Sequence, residues 1–86
     1  VVAVIDERDE AGSARCLEFR VHRGPAGGIL GSWRLEHAGS SLVDESRPGA
    51  AAAAEFRIAV DCADQNGIPF LWVNDPEALF PPWERR

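Results

Sequence analysis

Residues 48–74, PGAAAAAEFRIAVDCADQNGIPFLWVN, limit the possible folds more than any other part of the chain. The alanines at 50–54 have the best intrinsic helix propensity, and Pro48 and Gly49 stand upstream as a breaker. Asn66 and Gly67 follow as a stop, because glycine adopts the left-handed conformation that ends helices. At about 100° per residue, Ala52, Phe56, Ala59, Val60 and Ala63 fall on one stripe, with Arg57, Asp61, Asp64 and Gln65 on the far side. Ala51, Ala54, Ile58 and Cys62 form a second apolar strip between them. The next residues read as a strand: alternation puts Ile68, Phe70 and Trp72 on one face and Leu71 and Val73 on the other. A strand apolar on both faces is usually covered on both. Pro69 cannot donate to a ladder, so it suits the start of a strand or an edge.

Size and charge narrow the classes. Eighty-six residues make one domain, 1–86, with 75–86 as a C-terminal tail of prolines and aromatics. The chain is 45% hydrophobic, which argues against disorder. No apolar run approaches the roughly 20 residues of a membrane span, and no signal-peptide pattern is present. Cys16 and Cys62 lie far apart, and both are expected to be reduced in a cytoplasmic protein. Formal charge is −5 and every basic residue is arginine. An acidic chain suits a phosphate backbone poorly, so no nucleic-acid partner is expected.

Elsewhere the pattern is that of a sheet. Residues 1–5 are β-branched and apolar, while 6–15 read as a solvated loop. In 16–23, Leu17, Phe19 and Val21 face in, and Glu18, Arg20 and His22 face out. In 32–37, Trp33, Leu35 and His37 share one side, with Arg34 and Glu36 on the other. GPAGGILG joins these two as a hairpin, and residues 38–48 read as a polar loop. Asp75 and Pro76 suggest a capped short turn over 76–80. The expected fold is α+β: a small antiparallel sheet, β-β-β-α-β, with one long helix packed on one face. That order resembles many small bacterial α+β domains, and no motif narrows it to a family.

Chemistry is sparse. The glycines at 24, 27, 28 and 31 lack the lysine of a phosphate-binding loop and lead into a strand rather than a helix. His22 and His37 are the only imidazoles, and alternation puts them on opposite faces, where they cannot share a metal. Asp61 and Asp64 flank Cys62 with charge that would raise a thiol pKa, the wrong direction for a nucleophile. No catalytic residue, metal or cofactor is assigned.

The surplus of aromatic and apolar side chains remains. Trp33, Phe70 and Trp72 are candidates for ligand contact. Ile58, Cys62, Leu71, Val73, Phe80 and Trp83 are candidates for an interface, since aromatics are enriched at partner surfaces. The expected function is a non-catalytic protein-interaction or self-associating domain, a homo-oligomer with a dimer favoured, or one that binds another protein. A second expectation is a small-molecule-binding or sensor domain with an apolar pocket between helix and sheet. A third is a small enzyme using His22 or His37 with a carboxylate. In every case Phe56 and Val60 are expected in the core against Phe19 or Leu35 and the strand that follows the helix.

Overall fold

The computed structural model describes residues 1–36, 43–45 and 50–81. The strands are β1 (Ala3–Ile5), β2 (Cys16–Arg23), β3 (Ile29–Glu36), β4 (Val43–Glu45) and β5 (Phe70–Asn74), and the helix α1 spans Ala52–Gln65. Local chemistry accounts for most boundaries. Helix α1 ends where Gly67 takes φ +67°, so that the Ile68 amide reaches back to the Ala63 carbonyl (2.9 Å) and the Gly67 amide to that of Asp64 (3.2 Å). This double closure satisfies two orphan carbonyls, and Ile68 is buried beside it. No side chain caps the other end at Ala51. That end is tied instead to β3, through a bridge between Leu30 and Ala51 and a 2.9 Å bond from the Gly31 amide to the Ala50 carbonyl.

The hairpin joining β2 to β3 is shorter than the glycine pattern suggests. Pairing continues to Arg23 and Ile29, so Ile29, Leu30 and Gly31 belong to the strand and only residues 24–28 turn. Within the expected loop 6–15, Arg8–Ala11 form a 3-10 helix, and the Glu10 carboxylate accepts the Asp6 and Glu7 amides (3.1 and 3.0 Å). Residues 43–45 pair with β3 as a short edge strand, where a loop was expected across 38–48. A three-residue strand is too short to show alternation.

The sheet runs in the order β1-β5-β2-β3-β4. Mixed helix and strand content is as expected; an antiparallel sheet is not. β2, β3 and β4 form an antiparallel meander, but β5 pairs in parallel with both β2 and β1. The cause is the helix. A hairpin turn reverses the chain, whereas a helical crossover returns it across the sheet and lays down the next strand in the direction of the one before it. β5 therefore runs with β4 and β2, and it enters between β2 and β1.

Helix α1 covers one face. Leu17, Phe19 and Val21 of β2, Leu35 of β3, and Leu71 and Val73 of β5 are buried beneath Ala52, Phe56, Ala59 and Ala63. Phe56 meets Phe19 edge-on at 5.4 Å between ring centres, as expected, and Val60 is half-buried at the margin. Phe80 completes the cluster at 5.3 Å from Phe56 and 5.9 Å from Phe19. Asp75 directs it there: its carboxylate accepts the Leu79 amide (2.9 Å) and the Phe80 amide (2.7 Å). Asp75 thus accepts amides one and two residues beyond the N3 position that a helical cap would serve, and Ala78 takes φ +52° in place of a helical angle. Gly31 sits under the same cluster, where a Cβ would lie 2.5 Å from Phe19 Cζ and 3.0 Å from Ala52 Cα. Only glycine lets the helix start this close to β3.

Candidate functional site

The sheet face away from α1 holds the polar half of the alternating pattern. Register puts Arg34, Glu18 and Trp72 in one row across β3, β2 and β5, with Ile5 of β1 at its end. Ile5 and Ala11 are buried where the 3-10 helix leans over the β1 side, so the face stays open mainly over β2, β3 and β5. At the edge of that cover lies a cleft of about 240 Å3 lined by Arg8, Cys16, Glu18, Arg34 and Trp72. Arg8 is held by bonds from Nη1 to the Gly12 carbonyl (3.2 Å) and from Nη2 to the Ala14 carbonyl (3.3 Å).

Glu18 Oε2 accepts Arg20 Nε at 2.9 Å and Asn74 Nδ2 at 3.0 Å. Burial alone would raise this carboxyl. The bonds from Arg20 and Asn74, with the charges of Arg20 and Arg34, outweigh burial and hold it below its ordinary range. Burial pushes the Cys16 thiol up; the Arg8 charge opposes this and the Glu18 charge adds to it. A thiol raised in this way is protonated at neutral pH, and Glu18 is ionised and committed to partners. The arrangement suits recognition better than proton transfer or nucleophilic attack.

The residues nominated for ligand contact are split between the two faces. Trp33 lies on the helix side in register with Phe19, and its Nε1 donates to Glu55 Oε2 at 3.1 Å. Phe70 and Trp72 lie on the open side, in register with Cys16 and Glu18. The space between helix and sheet is filled by Leu17, Phe19, Phe56 and Phe80, so these three aromatics do not line one pocket there.

The interface candidates divide as well. Leu71, Val73 and Phe80 are buried in this chain's own core and present no surface to a partner. Ile58 is 49% exposed, Cys62 is half-buried, and Ala51 and Ala54 are exposed beside them. Trp83 and His37 lie outside the described residues. His22 is half-buried on the open face in register with Leu30. Among the described residues no group of three or more His, Cys, Asp or Glu is placed to hold a metal ion, and no helix is long and apolar enough to cross a membrane.

Sequence reading passed over Arg8, which it took for loop, and the pairing of Glu18 with Asn74, 56 positions apart. One signal was available for Arg8: Glu7 and Glu10 have capping-box spacing, which marks a helical turn there. Nothing local could have joined Glu18 to Asn74. Compared with known proteins, the chain matches no family model, no curated protein and no solved structure, so its reading rests on its own residues.

Proposed function

We infer that this chain is a small non-catalytic interaction domain that self-associates as a twofold dimer through the outward side of α1. One observation carries the reading: Ile58 stands half in water at the middle of an otherwise small apolar strip, Ala51, Ala54 and Cys62. A single exposed isoleucine is ordinary; this one stands at the centre of a strip of small apolar residues. Alanines allow two helix backbones to approach closely, and a twofold axis duplicates every contact. Arg57 and Asp61, both exposed, border the strip with opposite charges, which an antiparallel helix pair can match at its rim.

Ile58 is already about half-buried, so covering the rest contributes roughly 1 kcal/mol per copy, which gives a weak, concentration-dependent dimer and not an obligate one. The test is sedimentation over a range of concentrations for the parent and for Ile58→Asp. The reading requires association in the parent and a monomer in the variant, with the melting temperature of the monomer unchanged. A parent that stays monomeric throughout, or a variant that associates equally well, removes it.

A further inference from the structure

One end of the sheet is β1, whose pairing with β5 fixes what its other edge presents. Ala3 donates to the Pro69 carbonyl at 2.9 Å, so in this parallel register the amides of Ala3 and Ile5 face β5. Alternation turns the amides of Val2, Val4 and Asp6 the other way, off the end of the sheet. Two of these three meet carboxylates: Val2 donates to Asp64 Oδ1 at 2.6 Å, and Asp6 to Glu10 Oε2 at 3.1 Å. Val4 lies between them, and neither its N–H nor its C=O has a partner among the described residues.

The side chains at this edge are apolar. Among the described residues the exposed large apolar side chains are Val1, Val4 and Ile58, and two of the three belong to this segment. Proteins usually protect an edge with charge, proline, a bulge or a covering element. The residues of β1, Ala-Val-Ile, carry none of these. Charge stands at its two ends instead, where Asp64 and Glu10 take amides about 7 Å to either side of Val4 along the extended chain. Glu10 accepts amides rather than a cation, and Glu7 and Asp9 are exposed beside it. Arg8, the cation within that run, donates to the Gly12 and Ala14 carbonyls. At the other end the Asp64 side chain is 39% exposed, with the Val1 ammonium at 3.9 Å.

The geometry points to β1 as a docking edge for an extended segment of a basic partner protein. The segment adds a strand beside β1, with an apolar residue opposite Val4 and Lys or Arg about two positions to either side, near Asp64 and Glu10. Charge selects this occupant over a second copy, which would bring the same carboxylates to the same edge. Three residues make a short ladder, with one donor and one acceptor at Val4. The flanking charges therefore supply most of the attraction, and binding is weak and sensitive to salt.

The experiment is calorimetric titration of the intact protein, at low salt, with three capped pentapeptides: Arg-Thr-Val-Thr-Arg, Glu-Thr-Val-Thr-Glu and Arg-Thr-Pro-Thr-Arg. The first should saturate with a Kd on the order of 1 mM, and the acidic and proline peptides should bind at least about tenfold more weakly. Val4→Pro removes the outward amide and leaves the pairing with β5, so it should keep its circular dichroism and lose about tenfold in affinity. Glu10→Gln retains an acceptor for both amides and should weaken the basic peptide about threefold. Ile58→Asp should bind as the parent does, which separates this edge from the helix surface. Failure of the basic peptide to saturate, equal binding of the acidic one, or unchanged affinity in a folded Val4→Pro would each overturn the proposal. If Val4→Pro unfolds, the proline peptide still tests the ladder, and its binding as tightly as the valine peptide would overturn it. Association of Ile58→Asp that is abolished by adding Val4→Pro would also overturn it, because the edge would then pair with a second copy.

Discussion

Replacing Phe80 with alanine tests whether the segment after β5 belongs to the core. The ring is only 2% exposed and closes a triangle with Phe19 and Phe56. Burying a phenylalanine contributes about 1.5–3 kcal/mol by transfer alone. The cavity left behind and the lost ring contacts bring the expected cost of Phe80→Ala to about 3–5 kcal/mol. A chain of 86 residues has a total stability of about 4–13 kcal/mol, so the variant should be marginal or unfolded at room temperature. Urea denaturation followed by tryptophan fluorescence gives the measurement. With a slope of about 2 kcal/mol per molar, the midpoint should fall by roughly 2 M at unchanged slope. Leu79→Ala is the internal comparison, because Leu79 is only half-buried and should lose far less. A Phe80→Ala midpoint no lower than that of Leu79→Ala would refute the packing of this segment against α1.

Gly31→Ala should destabilise by about 1–3 kcal/mol in a thermal melt, because the added methyl overlaps Phe19 and the start of α1. Gly28→Ala is the control; its Cβ would meet nothing within 4 Å, and its melt should barely move. Asp75→Ala removes the acceptor of two amides and should cost about 1–2 kcal/mol, partly recovered in Asp75→Asn. Glu18 has a folded pKa below its ordinary value of 4.5, so its stabilisation is complete above that value and fades as pH falls through the lower folded one. Acid titration of stability should therefore show a shallower loss below about pH 4.5 in Glu18→Gln than in the parent; superimposable acid limbs would deny Glu18 that role.

Faces were legible in the sequence, and neighbours were not. Alternation in β2 gave Leu17, Phe19 and Val21 inward and Glu18, Arg20 and His22 outward, because the side-chain period of a strand is local. The stripe of α1 was equally plain, with Ala52, Phe56, Ala59 and Ala63 buried together. Periodicity does not say which strand lies beside which, so the parallel entry of β5 between β1 and β2 had no signature in its residues. Strand β5 was apolar on both faces and so ambiguous; the choice of Leu71 and Val73 for the helix side is made by their register with Leu17 and Phe19. The candidate site was harder still. Its parts come from the 3-10 helix, β2, β3 and β5, and an exposed arginine in sequence looks the same whether or not two carbonyls will hold it.

The place of β5 also governs the order in which the chain can assemble. Among the described strands, β1 is first in sequence and β5 last, yet β1 has no strand neighbour except β5. During synthesis β1 therefore lacks its strand partner until β5 has been made. The β2–β3–β4 meander and α1 are built from nearer contacts and can gather earlier. Closing the sheet then joins segments 67 residues apart, Ala3 with Phe70, a non-local step of the kind that slows folding. Until that step, the apolar β1 segment and an open edge of β2 are both available to other chains, the condition under which nascent proteins aggregate or recruit chaperones. The contact that completes the sheet thus also ends that exposure.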